Sequence, residues 1–122
     1  MKLKYLLLFV VITSCYDIER NCAAYKTGAF MSTITIQNVD YVSTFERSED
    51  IQIETFEGKT DSSTVRWIND CEAIFKTINP KRMMDKKDIH LKILSTTDSS
   101  YVFEYSYVGE SIKQKGEAIR ID

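Results

Sequence analysis

From Thr27 onward the chain is a succession of short segments rich in Val, Ile, Thr, Tyr and Phe, parted by turn residues about every eight to twelve positions. That rhythm predicts an all-β sandwich or barrel, because alternating short runs bury one face of each strand and expose the other. Phe30, Ser32, Ile34 and Ile36 fall on one face of a first strand, with Met31, Thr33 and Thr35 opposite. Asn38-Val39-Asp40 reads as a turn, and Tyr41, Ser43, Phe45 and Arg47 then share a face. After Ser48-Glu49-Asp50, Ile51 and Ile53 alternate with Gln52 and Glu54 as far as a break at Gly58.

The fourth strand holds Val65 and Trp67 on one face, and Asn69-Asp70 reads as a two-residue hairpin turn whose residues tolerate positive φ. A return strand is expected from Cys71 to about Ile78. Asn79 as N-cap and Pro80 at the first helical position predict one short helix near residues 80–86. Ile89, Leu91 and Ile93 mark the sixth strand, and Thr97-Asp98-Ser99-Ser100 is a polar loop. Tyr101, Phe103, Tyr105 and Tyr107 share one face of the seventh, with Val102 and Val108 on the other. Gly109-Glu110 fits a type II′ turn before a last strand from Ile112 through Ile121.

Eight sequential strands with short links demand antiparallel neighbours, since parallel ones need long crossovers. The expectation is an eight-stranded antiparallel up-and-down meander forming a barrel or a curved half-barrel. A barrel of this size is filled by side chains or holds one small ligand. Gly28-Ala29-Phe30 at the first strand and Arg120 on the last resemble the lipocalin and calycin closure. In that family a Gly-x-Trp aromatic is covered by a basic residue of the final strand; here the aromatic is Phe. The resemblance implies a lipocalin-like barrel.

The N-terminus has an address of its own. Met1-Lys2-Leu3-Lys4 is basic, and Tyr5 to Ile12 is apolar but far shorter than the about twenty residues of a membrane span. Ile12-Thr13-Ser14-Cys15 resembles a bacterial lipobox. The resemblance implies removal of residues 1–14 as a lipoprotein signal peptide and acylation of Cys15, palmitate being the lipid expected. Residues 15–26 then form a lipid-anchored tether and residues 27–122 the β-barrel domain. Tyr16 stands where the family's inner-membrane retention signal has aspartate, so the outer membrane is favoured, facing either the periplasm or the surface. Together with Tyr25-Lys26-Thr27-Gly28 and Val65-Arg66-Trp67-Ile68-Asn69-Asp70-Cys71, the lipobox resembles a group of small envelope lipoproteins of unassigned function.

The whole chain has 16 basic and 18 acidic residues. Lys2 and Lys4 leave with the signal peptide, so the mature chain carries 14 basic against 18 acidic residues, a net charge of −4. An acidic surface argues against a nucleic-acid partner, whose phosphates require clustered Lys and Arg. The basic pairs Lys81-Arg82 and Lys86-Lys87 flank one predicted turn and read as solvated surface. With Cys15 acylated, Cys22 and Cys71 remain, and an even count in an oxidising compartment predicts a structural disulfide.

His90 is the only histidine, so histidine metal clusters and His-paired nucleophiles lack material. Glu46, Glu54, Glu72 and Glu104 are the carboxylates that would have to converge for acid–base work, and no spacing brings them together. No cofactor, metal or catalysis is expected. Arg47 is in phase with Tyr41 and Phe45, so it points inward; it then needs a carboxylate or an anionic ligand, or it snorkels to water from the strand end. Arg47, Trp67, Tyr101, Phe103, Tyr105 and Tyr107 are the candidate contacts for a small amphipathic ligand. The other reading is a structural or protein-interaction module of the envelope that uses an aromatic face or a sheet edge.

Overall fold

A computed structural model describes residues 20–122; the apolar run, Cys15 and the first residues of the tether lie outside the described residues. Eight antiparallel strands follow one another in space as they do in sequence: β1 (Gly28–Ile36), β2 (Val39–Arg47), β3 (Ile51–Phe56), β4 (Lys59–Asn69), β5 (Glu72–Thr77), β6 (Ile89–Thr96), β7 (Ser100–Tyr107) and β8 (Gln114–Arg120). β8 pairs with β1, so the sheet closes into a barrel in which each described strand has a neighbour on both sides, although β2 meets β3 only over Thr44–Arg47. Closure decides between the barrel and the half-barrel that the meander allowed.

The linking turns differ in detail from their sequence reading. β1 and β2 are joined at Gln37 and Asn38, both at positive φ (50° and 63°), so the turn precedes Val39. Glu57 and Gly58 repeat that geometry (49° and 77°) between β3 and β4; two positive φ values give the turn the twist that antiparallel strands need. Between β4 and β5 the turn residues are Asp70 and Cys71, not Asn69 and Asp70. Asn69 ends β4, and its side-chain oxygen accepts from the Cys71 N–H at 2.9 Å while its amide donates to Glu72 at 2.6 Å. Side-chain capping therefore replaces positive φ there. Gly109 (φ 84°) is the second central residue of its turn, closed by Glu110 N–H to Tyr107 O at 3.0 Å, which excludes type II′; β8 begins at Gln114.

The short helix expected over 80–86 is reduced to one 3-10 turn, Met84–Lys86. Asn79 adopts φ 54°, whereas an N-cap needs an extended backbone. None of the turn's residues is buried, so no packing compensates the cost of nucleating an α-helix. A second 3-10 turn, Cys22–Tyr25, lies in what the sequence read as tether. It belongs to the domain: Cys22 and Tyr25 are among its most buried side chains, and Cys22 is bonded to Cys71.

The core occupies one half of the barrel. Phe30, Phe45, Val65, Ala73, Phe75, Leu91, Ile93, Tyr101, Phe103 and Ala118 are buried inside, near the end where the chain enters and leaves. Gly116 makes room in this packing, since a Cβ there would lie 2.7 Å from the Phe103 ring and 2.8 Å from Ile34. At the other end, the inward positions of β3 and β4 are Glu54, Phe56, Asp61 and Ser63.

Candidate functional site

The closed end is built first, from aromatics. Phe30 stacks on Phe45 (centroids 5.1 Å), meets Tyr101 edge-on (5.7 Å) and lies 6.0 Å from Tyr25. The Tyr25 hydroxyl donates to the carbonyl of Thr97 at 2.6 Å, tying the N-terminal 3-10 turn to the β6–β7 loop. Arg120 covers this floor from outside: its guanidinium lies 5.0 Å from the Phe30 ring and 5.2 Å from Tyr25 and donates to the carbonyls of Ala24 and Thr27. Gly28, at φ 137°, permits that approach, because a Cβ there would come within 2.5 Å of the Arg120 guanidinium.

Above the floor stands Arg47, 3% exposed. Its Nε donates to Gln52 Oε1 at 2.9 Å, one Nη to the carbonyl of Tyr25 at 2.9 Å and the other to the Tyr101 hydroxyl at 3.1 Å. Every acceptor is neutral. Aromatic faces surround the same cation, with Phe45 at 5.0 Å, Phe75 at 5.5 Å, Phe30 and Trp67 each at 5.7 Å and Tyr101 at 6.0 Å. Among the described residues no carboxylate pairs with it. Burial pushes the Tyr101 hydroxyl pKa up, and the Arg47 charge acts against that rise. Arg47 therefore does not snorkel: it is an inward cation held by dipoles and ring faces.

Arg47 borders a cavity of about 360 Å³ inside the barrel. Phe45, Phe75, Leu91, Tyr101, Phe103 and Tyr105 supply apolar wall; Ser32, Gln52, Glu54, Asp61 and Ser63 supply polar positions. The lining runs up to the exposed side chains of Asp61 and Arg82, which places the mouth at the end opposite the N-terminal turn. Glu54 has its pKa raised by burial and, secondarily, by the negative charge of Asp61, with the Ser43 hydroxyl lowering it in part. The Tyr105 pKa is raised by burial and then by Glu54.

Of the residues proposed from sequence, Arg47, Tyr101, Phe103 and Tyr105 come together on this lining. Trp67 does not join them. Its ring lies 5.7 Å from the Arg47 guanidinium and 5.6 Å from Lys26 Nζ, and its buried Nε1 has no hydrogen-bond partner among the described residues. Tyr107 is also off the lining, with Lys87 Nζ 5.4 Å from its ring. Cys22 and Cys71 form the expected disulfide, Cα atoms 5.2 Å apart. The four strand carboxylates do not converge: Glu46 is exposed, Glu72 faces His90 at 3.5 Å, Glu104 pairs with Lys113 at 3.4 Å, and Glu54 alone turns inward. Arg82 and Lys87 are exposed and paired with Asp85 and Glu110. Among the described residues no group of three or more His, Cys, Asp or Glu could hold a metal.

Sequence reasoning missed Tyr25, Asp61 and Phe75 as parts of one site. Tyr25 sits in a charged stretch without periodicity, so nothing local marked it as floor. Asp61 meets Glu54 only because β3 and β4 pair in that register. Family models, curated proteins and solved structures contain no match to this chain, so its own residues carry the functional argument.

Proposed function

We propose that this chain is a lipid-anchored protein of the bacterial outer membrane that binds a small amphipathic ligand inside a lipocalin-like barrel, without catalysis. The observation that carries the reading is Arg47: a buried guanidinium bordering a cavity, hydrogen-bonded only to neutral oxygens. A buried charge without a counter-ion is costly, and an anionic ligand group would supply the missing partner. Three N–H groups of Arg47 are engaged among the described residues, out of the five that a guanidinium carries, so donors remain for that group. The aromatic and aliphatic wall suits an apolar body. A cavity of about 360 Å³ lies at the small end of the roughly 300–1,000 Å³ that small-molecule sites occupy. The anchor is Cys15, acylated after removal of residues 1–14; at about 0.8 kcal/mol per buried methylene, more than one acyl chain makes the attachment stable.

Octanoate, a single anionic group on a short apolar chain, is the direct probe. Titration calorimetry of residues 16–122, which contain the whole closed barrel, should show saturable one-site binding. Arg47→Met should abolish it while the circular dichroism spectrum stays that of an all-β protein. Unchanged octanoate binding in Arg47→Met would contradict the reading.

An interaction module of the envelope has its own observation. On the outer wall of β8, β1, β2 and β3, Ile119, Met31, Val42, Ile51 and Ile53 are all exposed, with Met31 directly paired to Ile119. Such a face suits a protein partner. Under that reading the isolated domain carries no ligand.

A further inference from the structure

The cavity holds opposite charges at two depths, and they are too far apart to pair with each other. Arg47 lies on the closed-end side. Glu54 and Asp61, direct partners across the β3–β4 hairpin, line the same cavity nearer its mouth. In the β2–β3 register Arg47 pairs with Gln52 and Phe45 with Glu54. The cation and the first carboxylate are therefore offset by one inward step, about 6.5–7 Å along the strands. Among the described residues none of the three belongs to an ion pair; Arg82 at the mouth is paired with Asp85, its charge also reaches Asp61 from outside, and Glu54, deeper in, has no cation beside it. Two carboxylates facing each other repel, and a positive group between them would relieve both.

We propose that the cavity is built for a zwitterion, its acidic group on Arg47 and an alkylammonium group between Glu54 and Asp61. This rests on the ligand-binding reading above and narrows it to one class: an acid and an alkylated amine separated by a short aliphatic spacer. One such molecule satisfies both ends of the cavity at once. A simple fatty acid leaves the carboxylates facing a methyl group.

The test uses two compounds of the same shape, 4-(trimethylammonio)butanoate and its carbon isostere 5,5-dimethylhexanoate, which differ by one positive charge. Both are titrated calorimetrically into residues 16–122 near pH ~8, where free carboxyls are ionised. The zwitterion should bind at least about tenfold more tightly, the scale of one charge-assisted contact. Glu54→Gln should erase most of that preference, so that the two compounds bind about alike; Asp61→Asn, at the exposed end, serves if Glu54→Gln fails to fold. Equal or tighter binding of the isostere by the parent chain overturns the zwitterion inference and leaves the single-anion reading standing. Binding of neither overturns both. A preference that survives both substitutions overturns the assignment of the ammonium to these carboxylates.

Discussion

The two halves of this barrel solve different problems. The closed half is dense: Phe30, Ile93, Ala73 and Ala118 are fully buried, the Cys22–Cys71 bridge clips the N-terminal turn across it, and Arg120 covers it from outside. The open half has the same strands and the same alternation, yet its inward positions include Glu54, Asp61, Ser63 and Thr77 around unfilled space. The first half buries apolar area and is where the stability resides. The second accepts polar groups that weaken the fold, and such concessions mark a site when they share one cavity. Arg47 stands at the boundary, held by the closed half and bordering the open one.

Substitutions that report stability should separate the halves. Phe30→Ala is expected to cost about 3–5 kcal/mol in urea unfolding, because a fully buried ring leaves a cavity that close packing cannot refill. Phe56→Ala, at a half-buried position near the mouth, should cost no more than about 1–2 kcal/mol. Similar losses from both would erase the distinction. Replacing Cys22 and Cys71 together by serine opens a loop of sequence separation 49, a loss of about 4 kcal/mol in the chain-entropy model, read in the same unfolding curve. That loss should leave the affinity of the folded fraction for octanoate within a few-fold.

Glu54 gives the smallest and most specific effect. Burial first, and Asp61 second, hold its folded-state pKa above the ordinary 4.5. The folded chain thus keeps this proton more tightly than the unfolded one. Below the ordinary value both states are protonated and no penalty exists. As pH rises through the folded-state pKa, stability is lost. Glu54→Gln should therefore raise the melting temperature at neutral pH and leave it nearly unchanged in acid. A parent and variant that melt alike across the whole range would place Glu54 in ordinary solvent and remove the polar character claimed for the open half.

Much of this architecture was legible because period-two alternation is a local property. Phe30 with Ser32, and Tyr101 with Phe103, announce their inward face in a few residues, and short links then force antiparallel order. Arg47 was legible as inward from its phase with Phe45. Its burial was not, because a strand end leaves snorkelling open until Tyr25 and Tyr101 arrive from 22 and 54 residues away to cover it. The helix expected after Asn79 failed for the complementary reason: capping residues mark where a helix can begin, while packing decides whether one persists. Trp67 was legible as sharing the face of Val65, which allows core or ligand wall; it packs against the core 5.7 Å from Arg47 and off the cavity lining. Asp61 became a cavity residue only once β3 and β4 were paired.

The most direct test of the open half as a ligand chamber is native mass spectrometry of residues 16–122 recovered from a bacterial periplasm, compared with the same sample after denaturation. A mass excess that denaturation releases, and that Arg47→Met lacks, is the predicted result. Identical masses in the native and denatured samples would contradict it and transfer the case to the exposed apolar wall of β8, β1, β2 and β3.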